Sequence, residues 1–296
     1  MILKTNECMY ISKLIGDSSS LSLFNSLNVS LDGTEEESLI KKEILRDGKL
    51  TKESLDILEI VSKSEKSSKM ILNDQNYIIE KYSYMFNDKK VLVENVDGEL
   101  NFSEFDEFTD ISEELSEFFG ISILKNTDIN INIKIDELVV LLSLIDIYRQ
   151  NELIKIARFD AELVELNKEN LISEIKEPLG TSISKLIQSK YDIELLDEEK
   201  INEAIESLIG KGHIQKDLTL NESLKQFTIT FLIPDLAALL EQYQINEKGE
   251  LVIVSGFILS AGLRNKLLLL FTDEGVEMSA LSSLESLNII ENFLKL

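Results

Sequence analysis

The chain has 296 residues, of which 44% are hydrophobic, and its 54 acidic and 30 basic residues give a formal net charge of −24. This length suggests about two domains, and the apolar content is sufficient to bury a core in each. The charge excludes a general affinity for nucleic acids or anionic membranes, because both require clustered Lys and Arg side chains.

Other features indicate a cytoplasmic protein. The single cysteine, Cys8, excludes an internal disulfide. No run approaches the ~18 apolar residues of a membrane-spanning helix. The acidic Glu7 interrupts the N-terminal segment, which argues against a signal peptide. A protein partner of basic or mixed charge remains compatible with the acidity.

The N-terminal elements mix helix and strand patterns. Apolar residues in 3–15 fit neither period, so this segment is a short helix or a short strand. Alternation over 21–31 predicts a strand. Thr34 and Thr51 are typical N-caps of two helices, the first of which is predicted to end at Gly48.

The next predicted elements are strands joined by tight turns and followed by an amphipathic helix. The strands are predicted at 70–72, 77–85 and 89–93, the turns at 87–88 and 97–98, and the helix over 102–119 after a short extended start. Phe102, Phe105 and Phe108 contribute to its apolar pattern, and Gly120 closes it.

Helices dominate the region that follows. Alternating isoleucines over 129–135 predict a strand, and Asp136 is a plausible N-cap for a helix through residue 147. That helix is apolar on all sides, which predicts burial. The later predicted elements are an amphipathic segment at 171–190 broken near Pro178, a helix from Asp197 to Gly210, an extended segment from His213, and a strand over 267–271.

Two stretches, 89–105 and 266–281, share one pattern: an apolar run, an acidic turn with Gly, and an alternating segment that leads into a helix. A second match pairs Leu50-Thr51 with Leu218-Thr219, because a helix follows each. The order of elements therefore predicts an internal duplication.

The predicted fold class is α+β, with two pseudo-repeated modules that are each an antiparallel sheet meander packed with helices. The first module is assigned to residues 1–120. The second is assigned to residues 121–296 and contains a helical insertion.

The acidic turn at 97–98 partly matches a calcium-binding loop. Matching positions are Asn95, Asp97, Gly98, Leu100, Asn101 and Glu104. The first ligand position is Val93, and a strand pattern precedes it where the motif needs a helix. We therefore favour a solvated hairpin turn and keep a calcium-binding protein as the weakest alternative.

Catalytic patterns are missing from the sequence. His213 is the single histidine, which excludes schemes that need several. Cys8 has no local histidine or CxxC partner, and no glycine-rich phosphate motif occurs. The sequence therefore predicts no catalytic, cofactor-binding or metal-ligating residue, no cofactor, and no enzyme.

The element order resembles that of the EspG-type chaperones of the type VII (ESX) secretion pathway. The matching segments are Ile135-Asp136-Glu137-Leu138, 208–214, 218–224, 267–271 and 289–294, with a weaker set at 43–50, 55–61 and 89–119. The resemblance implies a cytosolic protein with two related α+β halves. It also implies a role in binding a helical secretion substrate and keeping its apolar tip soluble.

A non-catalytic binding role also suits the residues themselves. Phe257, Leu259 and Leu263 lie near a predicted hairpin tip and would suit an amphipathic partner helix if exposed; otherwise they are strand core residues. The alternative function is an acidic inhibitor or immunity protein that caps a basic toxin. Salt should weaken an inhibitor complex strongly and a chaperone complex little.

Overall fold

A computed structural model describes residues 1–74, 76–105, 111–157, 162–180, 182–191 and 196–296. The fold is α+β, with antiparallel strands packed against helices, as the sequence predicts. The chain divides into two compact units. The first unit comprises residues 1–120, 236–258 and 285–296, and the second comprises 121–235 and 259–284. The predicted modules, 1–120 and 121–296, describe the order of elements along the chain rather than compact units. They stay a prediction.

Residues 1–120 contain helices first and a strand meander afterwards. In chain order the elements are β1 (Ile2–Lys4), α1 (Thr5–Ile15), α2 (Leu23–Ser26), α3 (Glu35–Lys41), β2 (Leu45–Arg46), β3 (Lys49–Leu50), α4 (Lys52–Ser62), β4 (Lys66–Asp74), β5 (Ile78–Phe86), β6 (Lys89–Val96), β7 (Glu99–Glu104) and α5 (Ile111–Phe119).

Residues 121–296 follow the same order, with two helices where the first half has α2. In chain order the elements are β8 (Asn130–Ile133), α6 (Ile135–Ala157), α7 (Lys168–Lys176), α8 (Ile183–Tyr191), α9 (Glu198–Gly210), α10 (Glu222–Thr230), β9 (Leu236–Ile245), β10 (Leu251–Ser260), β11 (Lys266–Thr272), β12 (Gly275–Leu281) and α11 (Ser283–Lys295). An isolated bridge between Ile214 and Leu220 takes the place of the β2–β3 hairpin.

The sheet of the first compact unit has the strand order β1-β7-β6-β5-β4-β9-β10. β4 pairs antiparallel with β5 on one side and with β9 on the other, where Met70 lies opposite Leu240. The predicted hairpin turn at Asn87-Asp88 is confirmed, because both residues have positive φ (49° and 59°). The apolar side chains of β5, β6 and β7 face α4 and a buried core.

Alternate residues of the strands face this core, and the apolar stripes of α1 and α4 pack against them. Its fully buried members include Leu3, Cys8, Ile11, Leu39, Leu58, Val61, Val91 and Val93. The closing helix α11 belongs to the same unit from Glu285 onward. Ser83 Oγ donates to the Leu294 carbonyl at 2.5 Å, which ties the end of α11 to β5.

The second compact unit is organised around α6, which packs against α7, α8, α9 and α10. The helix is buried on nearly all sides from Leu138 to Ile147, as its sequence predicts. The strands β11, β12 and β8 lie side by side in this unit. Gly275 begins β12 at φ 144°, and a Cβ there would lie 2.6 Å from the Ile133 carbonyl oxygen. Only glycine therefore lets β12 approach β8 this closely.

The predicted strand at 21–31 is wrong, because the segment contains the short helix α2. Ser22 accepts a hydrogen bond from the Phe24 N–H and caps this helix. Leu23 and Phe24 are both buried, and two consecutive residues reach the same core in a helical turn but point to opposite faces in a strand.

The predicted end at Gly48 of the helix that follows Thr34 is also wrong, since this helix, α3, ends at Lys41. Asp47 and Gly48 both have positive φ (54° and 71°) and form the two-residue turn between β2 and β3. An Asp-Gly pair is a hairpin signal as well as a helix terminator, and here the hairpin forms.

The predicted register of the repeat needs a correction of two residues. Leu50 pairs with Leu45 in the first half, and the equivalent bridge in the second half joins Leu220 to Ile214. By their place in these pairings, Leu50 matches Leu220 rather than Leu218, and the internal duplication stays a prediction.

A buried glutamate joins α1 to α3 in the first half. Glu7 accepts hydrogen bonds from the Lys4 N–H (2.6 Å), Ser38 Oγ (2.6 Å) and Lys42 Nζ (2.7 Å). Burial opposes its ionisation, but the bonds from Lys42 and Ser38 outweigh burial and hold the pKa of Glu7 below its ordinary value. The charged carboxylate is thus built into this helix pair.

The second half repeats the arrangement between α6 and α9. Glu137 accepts from the Lys134 N–H (2.8 Å), Ser207 Oγ (2.5 Å) and Lys211 Nζ (2.6 Å). Burial again opposes ionisation, and the bonds from Lys211 and Ser207 again lower the pKa of Glu137. The donors have the same types in both halves: the N–H donor lies three residues before the glutamate, and the serine and lysine lie four residues apart.

Candidate partner-binding surface

The structure places the three predicted partner-binding residues in different environments. Phe257 and Leu259 share one face of β10 and are buried, with 2% and 1% exposure, which agrees with the alternative that they are strand core residues. Leu263 lies in the turn between β10 and β11 and is 66% exposed. Their joint role in binding a partner stays a prediction.

Leu263 is one of six exposed side chains of the second compact unit that lie on segments joined by hydrogen bonds, and we call this set the apolar patch. Its members are large aliphatic side chains that are each between 42% and 76% exposed. They are Ile121, Ile123, Leu124, Ile233, Leu263 and Leu284. Single exposed aliphatic residues are common on protein surfaces, but a contiguous group marks an interaction site.

Hydrogen bonds between segments hold the patch together. The Asn126 N–H donates to the Arg264 carbonyl at 3.3 Å, and the Asn126 side chain donates to Asn265 Oδ1 at 2.6 Å. The Leu284 N–H donates to the Ser122 carbonyl at 3.2 Å. The segment that carries Ile121, Ile123 and Leu124 therefore lies against the Leu263 turn and the start of α11.

The segment before β9 joins the same region. The Asp235 N–H donates to the Ser260 carbonyl at 2.9 Å, and Asp235 Oδ1 accepts the Gly262 N–H at 3.3 Å. These bonds bring Ile233, two residues earlier in the chain, to the side of the turn that carries Leu263.

Lys266 supports the turn from inside the unit. Its side chain is 1% exposed, and its Nζ donates to the carbonyls of Leu263 (2.8 Å) and Gly262 (3.4 Å). Ser283 Oγ donates to the same Leu263 carbonyl at 2.9 Å. Burial lowers the pKa of Lys266 to about 8, and the Asp235 carboxylate opposes this shift. The turn that presents Leu263 is thus held in one conformation.

Cys8 and His213, the candidate catalytic groups of the sequence, do not lie in the apolar patch. Cys8 is buried in the first unit, and burial, together with the Glu7 charge, raises the pKa of its thiol to about 12. His213 follows α9, and burial together with the Lys211 charge lowers its pKa. The Cys8 thiol is therefore held in its protonated form, and the His213 imidazole is held in its neutral form.

The residues of the calcium-loop pattern lie along a strand hairpin. β6 and β7 pair up to Val96 and Glu99, so Asp97 and Gly98 are a two-residue turn. Glu104 lies five residues along β7 from Glu99, or about 17 Å at a strand's rise per residue. Side chains spread over that length cannot surround one ion.

In the part of the chain that the structure describes, no three His, Cys, Asp or Glu side chains come together as a metal-binding group. Across those same residues, no helix is both long enough and apolar enough to span a membrane.

A cleft of about 290 Å³ lies beside α6 in the second unit, with Leu153 and Leu179 among its apolar lining residues. Its polar floor is an ion pair in which Arg149 donates to Asp146 at 2.5 Å and to the Phe231 carbonyl at 3.0 Å. Burial raises the pKa of Asp146, and Arg149 opposes this. The pair joins the helices of the unit, so we give it a structural role.

Comparisons with known proteins add a resemblance in fold. No protein-family model matches the chain, and no curated protein matches it. Among solved structures, the type VII secretion system chaperone EspG5 of Mycobacterium tuberculosis, determined in complex with the PE25–PPE41 dimer, is similar with a TM-score of 0.54. The sequence identity is 6%, and the match covers 99% of this chain and 95% of that chain. At this identity the likeness shows a common fold.

Most of the apolar patch cannot be predicted from the sequence. The run from Ile121 to Leu124 follows the helix-closing Gly120 and has no regular secondary structure. Three large aliphatic residues in such a segment are a signal of exposure or of burial under a loop, and the sequence does not distinguish the two. The sequence does not indicate that Ile233 is exposed, because its exposure depends on the hydrogen bonds of Asp235.

Proposed function

We propose that the protein binds another protein without catalysis and acts as a secretion chaperone that keeps a helical substrate soluble. The observation that carries the proposal is the apolar patch around Leu263. Exposing this much aliphatic surface is unfavourable in water, and covering it with a partner recovers about 25 cal/mol for each Å² of apolar area. A binding function explains why the apolar patch is exposed. No other feature of the described residues explains this exposure.

The resemblance in fold to EspG5 supports the chaperone role. That protein was determined in complex with a protein dimer, so this fold can hold a protein partner. The partner type, a type VII secretion substrate, and a cytoplasmic location are parts of the proposal. The absence of a cofactor is also part of the proposal. The internal duplication is another part, and the matching hydrogen bonds of Glu7 and Glu137 support it.

Capture of partners from the native cell tests the proposal. The tagged full-length protein should recover a helical secreted protein, identified by mass spectrometry. Leu263→Asp and Ile123→Asp should lose this protein, because each places a charge in the apolar patch. Val96→Asp is the matched control, since Val96 is an aliphatic residue of the first unit with 58% exposure.

Two results would contradict the proposal. One is recovery of the same partner by all three variants, which would place binding elsewhere. The other is recovery of only a nucleotide or metabolite, which would point to a different class of function.

The net charge of −24 favours a second candidate, an inhibitor or immunity protein that caps a basic toxin. The two candidates differ in salt dependence. Raising the ionic strength from 0.05 to 0.5 M shortens the screening length from about 14 to 4 Å. A toxin complex held by charge should weaken at least tenfold, whereas a complex held by the apolar patch should change little.

A further inference from the structure

The turn that carries Leu263 also carries an exposed arginine. Arg264 is one of four arginines in the chain, and its side chain is exposed beside the apolar patch. Lys125, another cation near the patch, is paired with Asp128 at 3.1 Å and also donates to the Ala280 carbonyl. No carboxylate of the described ranges reaches ion-pair distance of the Arg264 guanidinium.

Arg264 keeps its guanidinium available in a chain that has an excess of carboxylates. Arginine is enriched in protein interfaces because its planar group binds a carboxylate through two parallel hydrogen bonds and also packs against apolar surface. Leu263 and Arg264 together therefore offer an aliphatic contact and a binding site for one carboxylate.

The backbone of the patch indicates the shape of the partner. The N–H groups of Ala261, Gly262, Asn126 and Leu284 already donate to other residues. The Leu263 carbonyl accepts from two side chains. A partner strand would need free backbone groups along an edge, and this surface offers side chains instead. That suits the apolar face of a helix.

The conformation of the turn is fixed before any partner arrives. Ala261 N–H donates to the Asn265 carbonyl at 2.8 Å, and Asn265 Nδ2 donates back to the Ala261 carbonyl at 3.0 Å. The Arg264 carbonyl is held by the Asn126 N–H. A side chain on a rigid turn loses little backbone entropy on binding, which increases the contribution of each contact.

We propose that the apolar patch binds an amphipathic helix that carries a carboxylate at the border of its apolar face, and that Arg264 pairs with this carboxylate. This inference rests on the proposed function and names the chemistry of the partner. The aliphatic side chains supply the affinity, and Arg264 selects among apolar helices and fixes the orientation of the bound one.

Designed peptides test the inference on the full-length protein. The probes are three amphipathic helical peptides of about 18 residues, or ~27 Å. They are identical except for one border position, which is Glu, Gln or Lys. Fluorescence anisotropy should show that the wild-type protein binds the Glu peptide about threefold to tenfold more tightly than the Gln peptide.

Variants then assign the selectivity to one residue. Arg264→Gln should bind the Glu and Gln peptides equally, and Arg264→Glu should prefer the Lys peptide. Arg46→Glu is the matched control, because Arg46 is an exposed arginine in the first compact unit and should leave the Glu-to-Gln ratio unchanged.

Several outcomes would overturn the inference. They are equal wild-type affinity for the Glu and Gln peptides, an unchanged ratio in Arg264→Gln, no binding of any peptide, and self-association of the protein that Arg264→Glu abolishes. The last would assign the surface to a second copy of the chain. Leu263→Asp separates the two proposals: if it abolishes peptide binding while Arg264→Gln changes nothing, the patch binds helices without charge selection.

Discussion

Glu7 and Glu137 each bring a backbone N–H, a serine hydroxyl and a lysine ammonium to one buried carboxylate. Hydrogen bonds to a charged acceptor stabilise a fold more than neutral ones do, because removing the charge leaves several donors poorly satisfied. These residues therefore fix the packing of α1 on α3 and of α6 on α9.

We expect Glu7→Gln and Glu137→Gln each to lower the free energy of unfolding by about 1.5–3 kcal/mol at pH 7. Both pKa values are lower in the folded state, so this stability is present above the ordinary Glu pKa and is lost as pH falls through the folded values. Urea unfolding between pH 7 and 3 measures it.

The variants should also show a weaker loss of stability at acid pH than the wild-type protein. Glu37→Gln is the control, since the Glu37–Lys41 pair is exposed and its loss should not be measurable. Equal acid sensitivity of the wild-type protein and Glu7→Gln would contradict the assignment of the charge to Glu7.

Lys266 should produce a dependence of the same sign at alkaline pH. The folded pKa of Lys266, about 8, lies below the ordinary value of 10.5. Between pH 8 and 10.5 the unfolded chain therefore binds the proton more tightly than the folded protein does. The free energy of unfolding of the wild-type protein, relative to Lys266→Met, should therefore rise from pH 8 to 10.5, by at most ~1.4 kcal/mol per pH unit. A constant difference between the two proteins would show that Lys266 does not titrate in the fold.

At the scale of elements, the hairpin turns are the features that the sequence predicts best. Asn87-Asp88 and Asp97-Gly98 have positive φ and lie between strongly apolar strands, where only a two-residue hairpin fits. The Asp197 N-cap is likewise confirmed by its bond from the Lys200 N–H. Local chemistry decides these features, so the local sequence reveals them.

Elements that depend on distant contacts were missed or misplaced. β9 is rich in Leu and Ala and has no strand signature, yet it pairs along its length with β4. The helix α2 forms because Leu23 and Phe24 both enter a core that the alternating pattern does not show. The apolar patch has the same origin, since only tertiary bonds gather its segments.

Gly275 is the position where one element depends most on a single residue. Gly275→Ala should lower the free energy of unfolding by about 1–3 kcal/mol, because the new Cβ would press on the Ile133 carbonyl and detach β8 from β12. Gly180→Ala is the control, since Gly180 has open space around it. Thermal unfolding compares the two, and equal melting temperatures would contradict the predicted clash.

At the scale of the whole molecule, a strongly acidic chain carries an apolar patch on a rigid turn. The net charge of −24 favours solubility of the free protein, which offsets the exposure of the six large aliphatic side chains of the patch. A protein that keeps an apolar helix soluble needs this combination.

Hydrogen–deuterium exchange on the protein, free and bound to its captured partner, tests this central claim most directly. The account predicts that the partner protects residues 121–126 and 261–265 together, because the two segments form the patch. Protection confined to other segments, such as the β6–β7 turn around Val96, with no change in these two, would contradict it.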